Sequence, residues 1–277
     1  MNTTHEITTG TVDVGDARLR YRERGEGPPV LLLHAGGSGE WFSPVFDEPA
    51  LDGVRLVEIR RAGYGDSSTP DVHLTFADHA RQARALLREL GIDRATWVGH
   101  SSAGSMALQA AIDTPEAVER LVLLEPAPSP AGPSSEELVR TVVGPAIGAA
   151  QSGDFRGAGE AFLTGVCGPD WSALVRRRLG DGVTDRLVRD ARFFFTDEVV
   201  AAMEWTIDET IAARVTTPTT LVYGADPATK AHEETARQLA EWLPNAELVA
   251  VPGVGHAMPL EDPAAVARLI AVCAACM

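Results

Sequence analysis

Lysine is almost absent from this 277-residue chain: Lys230 is the only one, and every other strong base is arginine. We read this as a coding bias and attach no function to it. Basic residues are scarce as a class. There are 24 Lys and Arg against 39 Asp and Glu, giving a formal charge of −15 at pH 7. The longest basic run is Arg176-Arg177-Arg178. A surface of this sign repels nucleic-acid phosphates unless a basic patch interrupts it, and no such patch is present. Anionic membrane surfaces are disfavoured for the same reason. Cysteine is equally sparse: Cys167, Cys273 and Cys276. An odd count argues for a reducing, cytoplasmic setting over a disulfide framework. Cys273 and Cys276 form a C-x-x-C with neither a βαβ context nor a second ligand pair, so they read as the end of a helix. No apolar run approaches the ~20 residues that span a bilayer. MNTTHEITTG lacks the basic and apolar regions of a secretory signal. A His-Glu-x-x-His helix and a P-loop are both missing, so no metal or organic cofactor is expected.

What is present is enough for a sizeable core: 45% hydrophobic residues, with a mean hydropathy of −0.02. Residues 11–23 read as a hairpin about Gly15-Asp16. The short apolar runs 30–33, 54–59, 95–99 and 120–125 suit strands buried on both faces of a parallel sheet. Phe76, Ala80, Ala83, Leu86, Leu87 and Leu90 fall on one stripe, predicting a helix over 75–90 that Gly91 ends. A second helix is predicted from about 102 to 113. Residues 126–213 then hold no convincing strand. They open on a Pro/Ser-rich turn, with Ser134 or Ser135 expected to cap a helix beginning at Glu136-Glu137. Alternation resumes with a strand at 218–224, a helix near 229–242, a strand at 247–253 and a helix from about 259 to 274.

The strand 95–99 runs directly into His100-Ser101-Ser102-Ala103-Gly104 and a helix. Gly99 to Ala103 spell G-x-S-x-A, a strand–tight turn–helix with serine at the apex. Such a turn needs small neighbours on either side of the apex. The N–H groups that follow lie at a helix N-terminus, ready for an oxyanion. Ser101 is the candidate nucleophile. His256, in Gly253-Val254-Gly255-His256, is the candidate base, free to point into a cleft and shuttle the serine proton. His5, His73, His79 and His232 read as solvated surface, and His34 and His100 as structural.

Four segments resemble α/β-hydrolase-fold proteins over nearly the whole chain: LLLHAGG (31–37), AGYGDS (62–67), VGHSSAGS (98–105) and VPGVGHAMPLEDP (251–263). The resemblance implies an eight-stranded, mostly parallel sheet with helices on both faces. It also implies a helical cap after the sixth strand, dividing the chain into a core (1–125 and 214–277) and a cap (126–213). Ser102 N–H and Gly36 N–H are the implied oxyanion donors. The usual acid would fall at Asp226, in Gly224-Ala225-Asp226-Pro227, one residue short of the common turn. The rival is Glu125, an acid ending an apolar strand. Zearalenone lactonases carry theirs there, and the chain is similar to them around the Ser-Ser turn. Glu125 is favoured and Asp226 is kept as the alternative. Arginine at 60–61 stands where the family often has aspartate, which would rearrange a salt link beside the oxyanion loop.

Serine at 101 sets aside the epoxide hydrolases and haloalkane dehalogenases of this fold, which use aspartate. The expected activity is hydrolysis of a carboxylic ester or lactone of a medium-sized apolar molecule through an acyl-serine. Trp171, Phe194 and Trp205, with Phe193 and Phe195, are the candidate pocket wall. Acyl transfer or carbon–carbon bond hydrolysis by the same triad is the first alternative. A non-hydrolytic cyclase or ligand-binding protein on this fold is the second. The expected partner is a small molecule, and homodimerisation is left open.

Overall fold

A computed structural model describes residues 6–127 and 132–275. His5, Cys276 and positions 128–131 of the Pro/Ser-rich turn lie outside the described residues. Eight strands form one sheet: β1 (Thr8–Asp13), β2 (Arg18–Arg24), β3 (Pro29–Leu33), β4 (Arg55–Arg60), β5 (Ala95–His100), β6 (Val118–Leu124), β7 (Thr219–Gly224) and β8 (Ala246–Val251). Their order is β1-β2-β4-β3-β5-β6-β7-β8. β2 runs antiparallel to β1 and β4, and the other neighbours are parallel.

Side chains alternate between the two faces, so each apolar strand feeds two cores. Leu31, Leu33, Trp97, Leu121 and Leu123 pack on one side with α2 (Phe76–Glu89), α3 (Ser102–Asp113) and α11 (Ala231–Trp242). Val30, Leu32, Val98, Val122 and Leu124 pack on the other with α1 (Ser43–Phe46) and α13 (Pro263–Ala275). Thr75 and Asp78 close a reciprocal capping box at the start of α2.

Between β6 and β7 the described residues are helical, without a strand: α4 (Pro133–Leu138), α5 (Gly144–Gln151), α6 (Phe155–Cys167), α7 (Trp171–Leu179), α8 (Val183–Phe193), α9 (Val199–Glu204) and α10 (Glu209–Ala212). π-helical turns at Val139–Val143 and Phe194–Glu198 join α4 to α5 and α8 to α9. This is the expected helical insertion after the sixth strand.

Two boundaries differ from expectation. Neither Ser134 nor Ser135 caps a helix. α4 starts at Pro133, which suits a first helical position because it has no N–H to leave unpaired. The N–H groups of Ser134 and Ser135 donate instead to the Glu234 carboxylate of α11. The last predicted helix is two, α12 (Met258–Glu261) and α13, because Pro263 forces Asp262 out of helical geometry. No described helix is long and apolar enough to cross a membrane.

Candidate active site

β5 delivers Ser101 at a sharp turn with φ 55° and ψ −125°. A non-glycine residue in this region is strained and persists only where its surroundings hold it. Ser101 N–H donates to the Leu124 carbonyl at 3.0 Å, and its carbonyl accepts from Gly104 and Ala127 at 2.8 and 3.0 Å. A Cβ on Gly99 would collide with the Ala103 carbonyl, which is why glycine opens the motif. Ala103, fully buried, fits without displacing the turn. The Ser101 side chain makes no capping bond to α3, so its hydroxyl is not occupied as a helix cap.

Glu125 follows β6 at φ 43° and is completely buried. Its Oε1 accepts from Gly224 N–H at 2.8 Å, and its Oε2 pairs with His256 Nδ1 at 2.8 Å. A carboxylate there selects the Nδ1–H tautomer and leaves Nε2 as the basic nitrogen. The His256 loop is held by Gly255 N–H donating to Glu261 at 2.6 Å and by His100 Nε2 on the His256 carbonyl at 2.8 Å. Burial pushes Glu261 up and drives His100 down to about 3, so His100 donates as a neutral ring. Asp226 does not reach His256. It is exposed, and its carboxylate accepts from Gly253 N–H at 2.9 Å, tying the loop after β7 to the loop after β8.

Two of the four histidines expected at the surface are buried. His79 lies against Phe193, and His232 stacks on His256 with ring centroids 3.9 Å apart and planes at 24°. His73 is exposed as expected, between Asp197 and Glu204. Burial holds His79 and His232 well below the ordinary imidazole range. Glu125, His232 and His256 place metal-capable atoms within 4.8 Å of one another. An ion bound by imidazole lies in the ring plane, and two nearly parallel stacked rings do not direct lone pairs at one point. The donor set therefore does not fit a shared metal.

The loop expected to supply an oxyanion donor follows β3. Its carbonyls are taken up locally: Trp41 Nε1 donates to Gly36 at 2.9 Å, and Arg61 Nε donates to His34 at 3.1 Å. His34 is structural, its Nε2 accepting from Arg61 N–H at 3.0 Å. Gly36 N–H points at Ser102 Oγ, 3.2 Å away, and the Ser102 hydroxyl donates to Glu198. A Cβ on Gly36 would run into the Phe194 ring. Glu198, also fully buried, takes a forked pair from Arg61 at 3.0 and 3.1 Å and the hydroxyl of Tyr64. Burial, then the Glu198 charge, pushes the Tyr64 phenol up, so it donates. The arginine flagged at 60–61 thus has its account: Arg61 forms a buried ion pair with an acid from the insertion. Glu198 is not among the residues expected from the sequence. Its one signal is a charge set between Phe193–Phe195 and Val199-Val200.

A small cavity among α6, α7 and α8 reaches Gly37 and is lined by Phe155, Phe162, Trp171, Phe194 and Phe195, among others. Its free volume is ≈ 30 Å³, room for about one water. Trp171 and Phe194 line this cavity, whose lining includes neither Ser101 nor His256. Trp205 does not line this cavity: it packs on Phe76 and donates to Gln109 at 2.8 Å. Phe193 packs on Tyr64 and His79.

Together these residues give a strained serine turn, a buried Glu125–His256 pair and backbone donors at a helix N-terminus, the arrangement of a serine hydrolase. Known proteins agree with this architecture. Rat bifunctional epoxide hydrolase 2 is 33% identical over 145 residues, which is 50% of this chain but 26% of that protein. The chain thus spans about a quarter of that relative's length. The 2-hydroxy-6-oxo-6-(2'-aminophenyl)hexa-2,4-dienoic acid hydrolase of Metapseudomonas resinovorans is 26% identical over 275 residues, covering 91% of this chain and 86% of that one. Among solved structures, the N-acyl homoserine lactone degrading enzyme Est816 superposes with a TM-score of 0.71 at 25% identity, covering 94% of this chain and 98% of the other. The sequence profile described as "Alpha/beta hydrolase family" matches residues 30–269. With the sheet order, the serine turn and this match in agreement, the chain belongs to the alpha/beta hydrolase family.

Proposed function

We propose that the chain hydrolyses a neutral carboxylic ester or lactone through an acyl intermediate on Ser101, residues 126–213 acting as its cap. The observation that carries this reading is the 2.8 Å bond between Glu125 and His256, together with a serine held at φ 55° at the end of β5. His256 Nε2 takes the Ser101 proton as Oγ attacks the acyl carbon. Glu125, bonded to Nδ1, stabilises the imidazolium. The Ser102 N–H receives the tetrahedral oxyanion, joined by the Gly36 N–H as it turns from Ser102 Oγ. His256 then passes its proton to the leaving alkoxide, and water, deprotonated by the same ring, releases the acid. Asp226 serves its turn and takes no part.

The aromatic wall of the cap supports an apolar acyl or alkoxy group, and the −15 charge disfavours anionic substrates at long range. The lactone in the name of Est816 fits the same chemistry. The Phe194 ring covers Gly36, so on this reading a substrate reaching the Gly36 N–H displaces that ring. The dienoic acid hydrolase relative keeps carbon–carbon bond hydrolysis as the second reading, for which the substrate would be an anion.

A fluorophosphonate probe tests the nucleophile before any substrate is known. It should label the protein at Ser101, and Ser101→Ala should abolish labelling. A chain that stays unlabelled after prolonged exposure would return the fold to its non-hydrolytic uses. A panel of short esters, lactones and a dienoic acid then separates the two hydrolytic readings.

A further inference from the structure

His232 is buried at 2% exposure on the inner stripe of α11, with Ala231, Thr235, Ala236 and Leu239. Its Nδ1 has no hydrogen-bond partner among the described residues and lies 3.8 Å from Glu125 Oε2, beyond hydrogen-bonding reach. His256 holds that same oxygen at 2.8 Å. A buried polar atom without a partner is unfavourable, and an aliphatic side chain would fill the space without one. What an aliphatic chain lacks is an aromatic face. The His232 face covers the His256 ring, centroids 3.9 Å apart and planes at 24°. Burial, then the nearness of His256, keeps His232 uncharged. A neutral ring attracts a cation over its face, most strongly where water is excluded. In the reaction, His256 becomes that cation when it takes the serine proton.

We propose that His232 is a positioning residue, fixing the His256 ring in line with Glu125 and stabilising its imidazolium through the stacked face. The proposal rests on His256 being the base. Two titratable groups face His232 directly, His256 and Glu125. His100, Glu261 and Cys167 surround that pair from β5, α12 and α6. His100 is already neutral down to about 3, and burial pushes the Cys167 thiol up. Glu261, pushed up by burial, is common to every protein compared below.

The test follows the rate of fluorophosphonate labelling at Ser101 against pH in wild type, His232→Leu and His232→Phe, with Tm checked for each. Leucine removes the face, so the labelling rate should fall roughly three- to tenfold. The acid limb should move to lower pH, because the protonated ring has lost its support. Phenylalanine keeps the face without the nitrogens, and should retain both the rate and the limb. Should the leucine variant fail to fold, His232→Ala takes its place. Leucine indistinguishable from wild type overturns the proposal, and so does phenylalanine falling with leucine. Neither result touches the hydrolase reading, which fails only if the wild type itself is not labelled.

Discussion

Glu125 is a carboxylate in left-handed backbone geometry, buried, with both oxygens bonded, one to Gly224 N–H and one to His256. Replacing it by glutamine keeps the volume but removes the charge and puts a donor against the Nδ1–H. By analogy with other triads, Glu125→Gln should lower kcat by about 10³–10⁴. Asp226→Asn should leave kcat within a few-fold and weaken only the bond to Gly253, costing about 1 kcal/mol. Steady-state kinetics on any ester accepted by the panel decides, and a collapse in the Asp226 variant alone would reverse the assignment. The sequence carried half of this distinction. An acid closing the run Leu121–Leu124 is out of place unless something buried needs it, and that anomaly marked Glu125. His232 escaped because His-Glu-Glu reads as polar locally. Its spacing to Thr235, Ala236 and Leu239 places it on the apolar stripe, and periodicity should have outweighed the neighbours.

One element, the π-helical turn Phe194–Glu198, sets the helical insertion against the loop after β3 and its neighbours: Phe194 meets Gly36, and Glu198 meets Arg61, Tyr64 and Ser102. The extra residue per turn rotates both side chains toward the core, a common use of π-bulges at functional sites. Arg61 and Glu198 are 1% and 0% exposed, so each charge depends on the other. Glu198→Gln should destabilise the fold by about 3–5 kcal/mol, since it leaves a buried guanidinium uncompensated. Arg61→Met with Glu198→Met should recover most of that loss in urea unfolding. If the single variant is as stable as wild type, water must reach the pair. Phe194→Ala should act on selectivity, raising kcat/KM for bulkier acyl groups relative to acetyl. Equal losses across an acyl-length series would remove Phe194 from the pocket. The strands were legible because parallel sheets demand unbroken apolar runs. The helical insertion was legible only as a strandless interval. Its helix boundaries depend on contacts such as Glu234 with Ser134 and Ser135, about a hundred residues away, which no local pattern contains.

Across the whole molecule, four imidazoles, His34, His79, His100 and His232, are buried and held below their ordinary range, chiefly by burial. The unfolded chain protonates each near pH 6.5 and the native state does not. Their contribution is therefore intact above about pH 6.5 and is lost as pH falls below it. Each group contributes up to about 1.4 kcal/mol per pH unit, so the four together approach roughly 5 kcal/mol per unit once the unfolded histidines are charged. Asp190 and Glu261, pushed up by burial, work in the opposite sense, because the folded protein takes their protons first on acidification. Histidines outnumber them, so the urea midpoint should drop steeply between pH 6.5 and 5. His79 isolates one unit of that slope. Neither of its ring nitrogens has a partner among the described residues, and it lies outside the Glu125–His256 pair. His79→Leu should raise stability modestly at pH 8, by removing unsatisfied polar atoms. It should raise stability further at pH 5.5, where wild type also carries the protonation penalty. Urea midpoints for both proteins at the two pH values measure this. A gain independent of pH would mean that His79 is charged or water-linked in the native state.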